Sequence, residues 1–139
     1  MAKGSKLDRL LRVRTLQLGL VRAEEARAQQ RFASESTLKG RIAQLAEGVA
    51  PSAAPTQGFS FVAAAHFRDR LQQSAEAAEG RLRAAEQVVA RAAEATREAR
   101  RDQNAIEKLI ARADAEAAVK AIRALEAAPA ARKIRHDPC

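Results

Sequence analysis

The sequence predicts an all-α protein in which two long helices fold back on each other as an antiparallel coiled-coil hairpin. Alanine, glutamate, arginine and leucine dominate the composition, which is typical of long helices and coiled coils. Hydrophobic residues make up 47% of the chain but aromatic residues only 3%, so burial must follow a narrow seam. One stretch rich in glycine and proline divides the helical pattern into two parts.

The dividing stretch is a predicted loop over 48–58, which holds two glycines and two prolines. Pro51 and Pro55 lack a backbone N–H and disfavour α geometry in the residue before each of them. Gly48 suits the position just after the last residue of a helix. Because two prolines interrupt the chain here, we favour a hairpin over one long helix, broken at the loop, in a parallel dimer.

The first helix is predicted over 5–47, with Ser5 as its N-cap and Asp8 at the third helical position. Gly19 and Gly40 lie inside it and cost about 1 kcal/mol each relative to alanine. A heptad seam with several polar members runs along one face of this helix. Its positions are Leu7, Leu11, Arg14, Leu18, Val21, Glu25, Ala28, Phe32 and Glu35, and then Leu38, Ile42 and Leu45.

The second helix is predicted over 60–127, and Pro129 stops it. Its seam is mostly alanine, which permits close helix approach but buries little area at each contact. An extra residue between Leu71 and Ala75 is expected to shift the phase of this seam. Residues 128–139 are predicted to form a flexible basic tail. The seam positions are Phe67, Leu71, Ala75, Ala78, Leu82, Ala85, Val89, Ala92, Thr96, Ala99, Gln103, Ile106, Ile110 and Ala113.

The predicted helices are unequal, at roughly 65 Å and roughly 100 Å. If the loop is the tip, residues whose numbers add to about 106 lie opposite each other, so that Leu7 faces the neighbourhood of Ala99. The second helix beyond Asp102 would then have no partner within the chain. An exposed apolar stripe usually marks an interaction surface, although this overhang could instead dimerise with itself or bend back. The overhang carries Ile106, Leu109, Ile110, Ile122 and Leu125.

The positive charge is concentrated near the two ends of the sequence. Residues 1–22 carry a net charge of +5 and residues 128–139 carry +2, out of a total of +8. Because a hairpin brings both termini to one end, that end is predicted to attract an acidic partner or a polyanion. The alternative is a solvated surplus of charge that only aids solubility.

No residue pattern in the sequence indicates catalysis. His66 is best interpreted as a helix-face residue, and His136, Asp137 and Cys139 in the tail give only a weak metal signal. The sequence has no glycine-rich phosphate loop, and a two-helix rod offers no pocket in which catalytic groups could converge. We therefore predict a non-enzymatic protein with no cofactor, no metal and no small-molecule substrate.

Binding to nucleic acid or to a membrane is also disfavoured. The isoelectric point near 10.7 favours nucleic acid, but the arginines alternate with acidic residues and no aromatic platform exists for stacking on bases. An apolar face made largely of alanine argues against a membrane surface. The single Cys139, the lack of a signal peptide and the lack of a membrane span lead us to expect a soluble, cytoplasmic chain.

Two segments and the order of the elements carry a family resemblance. The first helix opens with Leu7–Arg14 (LDRLLRVR), and the second contains Asp102–Arg112 (DQNAIEKLIAR) near its end. This layout, with the Glu-Lys-Leu triplet inside the second segment, resembles the FliJ family of flagellar export proteins. Two features depart from the family pattern: Ala111 stands where the family usually has glutamate, and the ending over 132–139 is not a family feature.

The resemblance implies a coiled-coil stalk, similar to the central stalk of rotary ATPases, whose terminal end enters the hexameric ring of the export ATPase. It also implies contact with the membrane protein of the export gate, escort of export chaperones, and a location peripheral to the inner-membrane export apparatus. The implied partner-binding residues are basic and apolar side chains near both ends of the chain: Arg9, Arg12, Arg14, Ile106, Lys108, Leu109, Ile110 and Arg112.

Three other functions stay open from the sequence. The first is the corresponding stalk protein of a virulence-type secretion system, which would use the same mechanism in a different machine. The second is a generic coiled-coil scaffold or dimerisation module. The third is a basic nucleic-acid-binding protein, whose binding should weaken steeply as salt rises.

Overall fold

Two long helices make up the structure. The computed structural model describes residues 2–48 and 58–130, and describes side chains over 6–48 and 61–130. Helix α1 spans Ala2–Gly48 and helix α2 spans Gly58–Ala127, with 47 and 70 residues. They pack against each other along their lengths, and the described residues contain no strand. The predicted all-α hairpin is therefore confirmed.

The helix bounds differ from the prediction at three of their four ends. Helix α1 already begins at Ala2, so Ser5 lies inside the helix and the predicted N-cap is wrong. Gly48 is the last residue of α1 and Gly58 is the first residue of α2, so helix continues into both ends of the predicted loop. Residues 49–57, with both loop prolines, lie outside the described residues.

The far end of α2 lies where the sequence placed it, at Ala127. The backbone N–H of Ala128 donates to the carbonyl oxygen of Leu125 over 3.3 Å, which makes one last turn before Pro129. Proline has no N–H with which to continue the helix. The predicted flexible tail over 128–139 lies outside the described residues from 131 onwards.

Side-chain bonds between the helices establish the antiparallel direction and the register. Arg14 pairs with Asp102 at 3.0 Å, whereas Glu35, later in α1, pairs with the earlier Arg81 at 3.2 Å. The numbers of facing residues thus add to about 117 rather than about 106, and Leu7 lies opposite Ile110 instead of Ala99. The prediction placed the turn at the middle of the loop. In the observed register, Gly48 lies opposite about residue 69. About the first three turns of α2 therefore extend past the last residue of α1 at the connected end.

The seam of α1 follows the predicted heptad from Leu7 to Glu35, since each of these positions is buried or half-buried. The predicted continuation is wrong at Leu38 and Leu45, which are both exposed. The heptad runs on without a break through Lys39 and Ile42. Lysine can lie in a seam because its aliphatic stem packs while its ammonium reaches out, here to Glu79 at 3.8 Å.

The seam of α2 also follows the predicted positions from Leu71 to Ala113, all of which are buried or half-buried. The prediction is wrong at Phe67, which is 47% exposed, while Ala64 is half-buried. The heptad therefore runs from Ala64 through Leu71 to Ala78 in steps of seven, and the predicted phase shift does not occur. The size of the phenylalanine suggested a seam position, but the spacing decides which residue faces the partner helix.

The hairpin has a thin core. Among the described side chains only Leu18, Ala28, Ile42 and Ala78 are buried. Alanine at the seam lets the two backbones approach closely, so a small side chain can lie opposite a large one. The half-buried hydroxyl of Thr96 donates to the carbonyl oxygen of Ala92 over 3.1 Å, so this polar seam residue is satisfied within its own helix.

Replacing Gly19 or Gly40 with alanine should stabilise the hairpin by about 1 kcal/mol each, because alanine loses less conformational entropy in a helix. Both glycines lie within α1, and a Cβ added at either would meet no atom within 4 Å. Urea denaturation followed by circular dichroism measures the change. The matched control is Ala26→Gly, at another exposed position of α1, which should destabilise by a similar amount. If the free energy of unfolding of a glycine-to-alanine variant did not increase, helical geometry at that position would be contradicted.

Replacing Ala78 with leucine should destabilise the hairpin by about 1–3 kcal/mol, because a larger side chain would force the helices apart. Ala78 is 0% exposed, whereas its neighbour Ala77 is exposed. Ala77→Leu is therefore the matched control, and it should leave the free energy of unfolding nearly unchanged. Equal effects of the two substitutions on urea denaturation would show that Ala78 does not face α1.

Candidate protein-binding site at the open end

The end of the hairpin away from the connection, called the open end here, brings together the start of α1 and the last part of α2. In the observed register, Ala2 lies opposite about Ala115. Seam positions of α2 remain half-buried up to Ala113, and every described residue from 114 onwards is exposed. The overhang is therefore residues 116–127, which is shorter than the prediction that began it at Asp102.

Ile106 and Ile110 do not belong to the overhang. Both are half-buried seam residues, spaced four apart, on the face of α2 that meets α1. The register places them opposite Leu11 and Leu7. The prediction that these two isoleucines are exposed for a partner is therefore wrong, and their position instead explains how the open end is held together.

Arg14 also holds the two helices together. One terminal nitrogen of its guanidinium lies 3.0 Å from Asp102 and 3.1 Å from Gln17. One residue further along each helix, the Gln103 side-chain amide donates to the Thr15 hydroxyl over 3.2 Å. The Arg14 and Asp102 side chains are 38% and 45% exposed, and an exposed pair contributes at most about 1 kcal/mol. The pair therefore specifies the register more than it stabilises the fold.

The remaining predicted residues are accessible on the outer surface of the open end. Lys108 and Arg112 are exposed, and their spacing of four residues places them on one face of α2. Leu109 lies beside that face and is 45% exposed. Arg9 and Arg12 are exposed on α1, three residues apart. Lys108, Leu109 and Arg112 form a cationic patch with an apolar member on α2, while Arg9 and Arg12 lie on α1, with Arg9 on the opposite outer face of the rod.

The overhang adds an apolar stripe. Val119, Ile122 and Leu125 are 47%, 56% and 76% exposed, and their spacing of three residues keeps neighbouring members close along the helix. The sequence had indicated the second and third of these, but Val119 was missed. Leu16 and Leu20 on α1 were missed as well, although both are exposed. The sequence could have identified Leu16, Leu20 and Val119 as exposed apolar residues, because each is a large apolar residue that lies outside the seam heptad.

The positive charge of the open end lies mainly on α1. Residues 6–14 of α1 contain four basic side chains and one acidic side chain. Residues 107–123 of α2 contain four basic and three acidic side chains, so their charges nearly cancel. A surface that combines this positive charge with exposed apolar side chains can attract an acidic partner and bury apolar groups against it.

The described residues show no sign of metal or membrane chemistry. No group of three or more histidine, cysteine, aspartate or glutamate side chains among them could hold a metal ion. His136, Asp137 and Cys139 lie outside the described residues, and His66 is exposed on α2. Neither helix, over its described residues, is long and apolar enough to cross a membrane.

Replacing Ile106 with serine should lower the free energy of unfolding by about 1–2 kcal/mol, which is less than the cost at a fully buried site because Ile106 is half-buried. Leu109→Ser should change it by less than about 0.5 kcal/mol, because Leu109 lies outside the seam positions and is 45% exposed. Urea denaturation of the two variants measures the difference. If Leu109→Ser proved the more destabilising variant, the register at the open end would be wrong.

Comparisons with known proteins do not add to this geometry. Neither a protein-family model, nor a curated protein, nor a solved structure matches the chain. The functional interpretation therefore depends on the residues and the register of the hairpin itself.

Proposed function

We propose that the chain is a non-enzymatic stalk and escort component of the flagellar, type III protein export ATPase complex, which binds the ATPase ring and promotes substrate export. The observation that carries the proposal is the open end itself. There the basic start of α1 lies beside the last part of α2, and α2 continues beyond α1 as an apolar overhang. The FliJ-like segments identified in the sequence contribute to this same end.

The dimensions of the rod suit insertion into a ring. A helix with its side chains is about 10–12 Å across, so two packed helices make a rod about 20 Å wide. Helix α2, with 70 residues, is about 105 Å long. A rod of this shape can place its end inside a hexamer while the rest of its length stays outside for other partners.

Within this proposal the predicted residues divide into two groups. Arg9, Arg12, Lys108 and Arg112 attract and orient an acidic surface of the ring, because their charges are exposed. Leu109 supplies apolar contact, together with the overhang stripe. The other three predicted residues act indirectly, by holding the two helices in register, and they are Arg14, Ile106 and Ile110.

The wider partners follow from the same proposal. The membrane protein of the export gate and the export chaperones would contact parts of the rod outside the ring. The chain would work in the cytoplasm, peripheral to the inner-membrane export apparatus. Its attachment there would come through proteins, which is compatible with described helices that are too polar to cross a membrane.

Replacing Leu109, Ile122 and Leu125 together with serine should weaken binding to the export ATPase at least about tenfold, because these side chains supply the exposed apolar contact. Co-purification and the ATPase rate, each with and without the chain, measure the effect. The matched control is Leu45→Ser with Phe61→Ser and Val62→Ser, which removes three exposed apolar side chains near the opposite end. This control should bind like the wild type.

The proposal fails if the wild-type chain neither binds an export ATPase nor changes its rate. It also fails if the open-end and control variants lose binding equally. Running the assay in parallel with a flagellar and a virulence-type export ATPase decides between the two machines, since the cognate ring should bind more tightly. Circular dichroism should show unchanged helicity in all variants, because every substituted side chain is exposed.

A further inference from the structure

The two long sides of the hairpin differ chemically. In heptad notation the seam residues occupy a and d positions, with Leu11 of α1 and Ala75 of α2 both at a. Leu10 and Leu109, each one residue before an a position, therefore lie at g positions. In an antiparallel pair, the g residues of both helices share one side, which we call the g flank. The e residues of both helices share the other side, which we call the e flank.

The bonds between the helices confirm this division. On the g flank, Arg81 bonds to Glu35, and Asp102 bonds to Arg14, whose guanidinium also reaches Gln17. Arg81, Asp102 and Gln17 all occupy g positions. On the e flank, Glu79 pairs with Lys39, and Thr15 accepts a bond from Gln103. The heptad assignment therefore describes which side of the hairpin each residue occupies.

Large exposed apolar side chains are concentrated on the g flank. Six g positions carry them, whereas no described e position carries one. They occur near the open end, in the middle and towards the other end, and polar g residues such as Gln17, Glu24 and Asp102 separate them. The six residues are Leu10, Leu38, Leu45, Phe67, Val88 and Leu109.

The g flank is also the basic side of the hairpin. Over residues 6–45 and 67–112, the g positions and the adjoining c positions contain eight basic and three acidic side chains. The e positions and the adjoining b positions over the same residues contain five basic and six acidic side chains. The apolar side and the basic side therefore coincide.

A groove runs between the helices on this flank. Over residues 28–35 and 81–88 it is lined by the apolar side chains Ala28, Ala84, Ala85 and Val88, by Ser34, and by the charged side chains Arg31, Glu35 and Arg81. Small side chains on the floor leave room for larger side chains of a third helix, as ridges of one helix pack into the grooves of others. Arg31 can pair with an acidic residue that flanks such a ridge, whereas Arg81 is already bonded to Glu35.

We propose that the g flank binds an acidic amphipathic α-helix of another protein, which lies along the groove and completes a three-helix bundle. The apolar floor would bury the apolar face of that helix, and the basic margins would pair with its carboxylates. The flank shares Leu109 with the open end but extends far beyond it, and the test below uses Leu38 and Val88, which lie outside the proposed binding to an ATPase ring.

A second copy of the chain suits the g flank less well than an acidic helix. Two g flanks facing each other would bring two basic margins together, and like charges across an interface oppose association. The e flank of a second copy has the more acidic margins but lacks the exposed apolar side chains that the groove would bury. Charge and hydropathy together therefore select a partner that is both acidic and amphipathic.

The test uses the full chain and a synthetic helical peptide of about four heptads as the probe. The peptide carries leucine at its a and d positions and glutamate at e and g, so that charge repulsion disfavours pairing with itself. One control peptide has lysine in place of each glutamate, and a second has the same composition in scrambled order. Fluorescence anisotropy of labelled peptides should show that only the acidic amphipathic peptide binds, and that its binding weakens with salt.

The matched variants of the protein compare two faces of the hairpin. Leu38→Ser with Val88→Ser removes two apolar side chains of the g flank and should weaken peptide binding at least about tenfold. Leu16→Ser with Ala23→Ser replaces two exposed side chains at f positions, which face away from the seam and lie outside the overhang, and should leave the affinity unchanged. Circular dichroism and urea denaturation should show that both double variants keep the hairpin.

Three results would overturn the inference. The first is that the acidic peptide fails to bind, or binds no better than the lysine and scrambled peptides. The second is an equal loss of affinity in the g-flank and f-position variants. The third is that the wild-type chain sediments as a dimer, that the f-position variant also does, and that the g-flank variant sediments as a monomer. A second copy of the chain would then cover the flank.

Discussion

Close approach of two helices along an alanine-rich seam is the constraint on which the rest of the molecule depends. The chain has few large side chains, so it cannot build a thick core. Ala28 and Ala78 are buried because the two helix backbones approach each other closely. Larger residues such as Leu18 fill the space between them. The result is a narrow rod in which each helix has one partner, and most side chains remain exposed.

A seam of repeated alanines specifies which side of each helix faces the other. It specifies less well how far one helix is displaced along its axis relative to the other. A slip by one heptad would again place many alanines in the seam, so apolar packing alone distinguishes neighbouring registers poorly. The polar ties add to the preference for the observed register, because a slip would separate Arg14 from Asp102 and Arg81 from Glu35. Such exposed pairs contribute little energy, but polar groups at a seam can select one register among alternatives.

The register in turn decides which surfaces remain for partners. Pairing as far as Ala113 makes Ile106 and Ile110 part of the seam and leaves the cationic patch around Leu109 on the outside. The rod consequently offers two surfaces, one at the open end and one along the g flank, which overlap at Leu109. A molecule at the open end would cover the flank only around Leu109, and the part of the flank around Leu38 and Val88 would stay accessible.

The sequence by itself determined most of the residues that face the seam, where the chain is interrupted and where charge accumulates, but it misplaced Leu38, Leu45 and Phe67. Heptad spacing, prolines and charges are local features, and each can be recognised without knowing the fold. Only the tertiary structure decided the offset between the helices, because a pattern that repeats every seven residues carries no absolute register. For that reason the spacing correctly placed Ile106 and Ile110 in the seam, while the assumed turn wrongly placed them in the overhang.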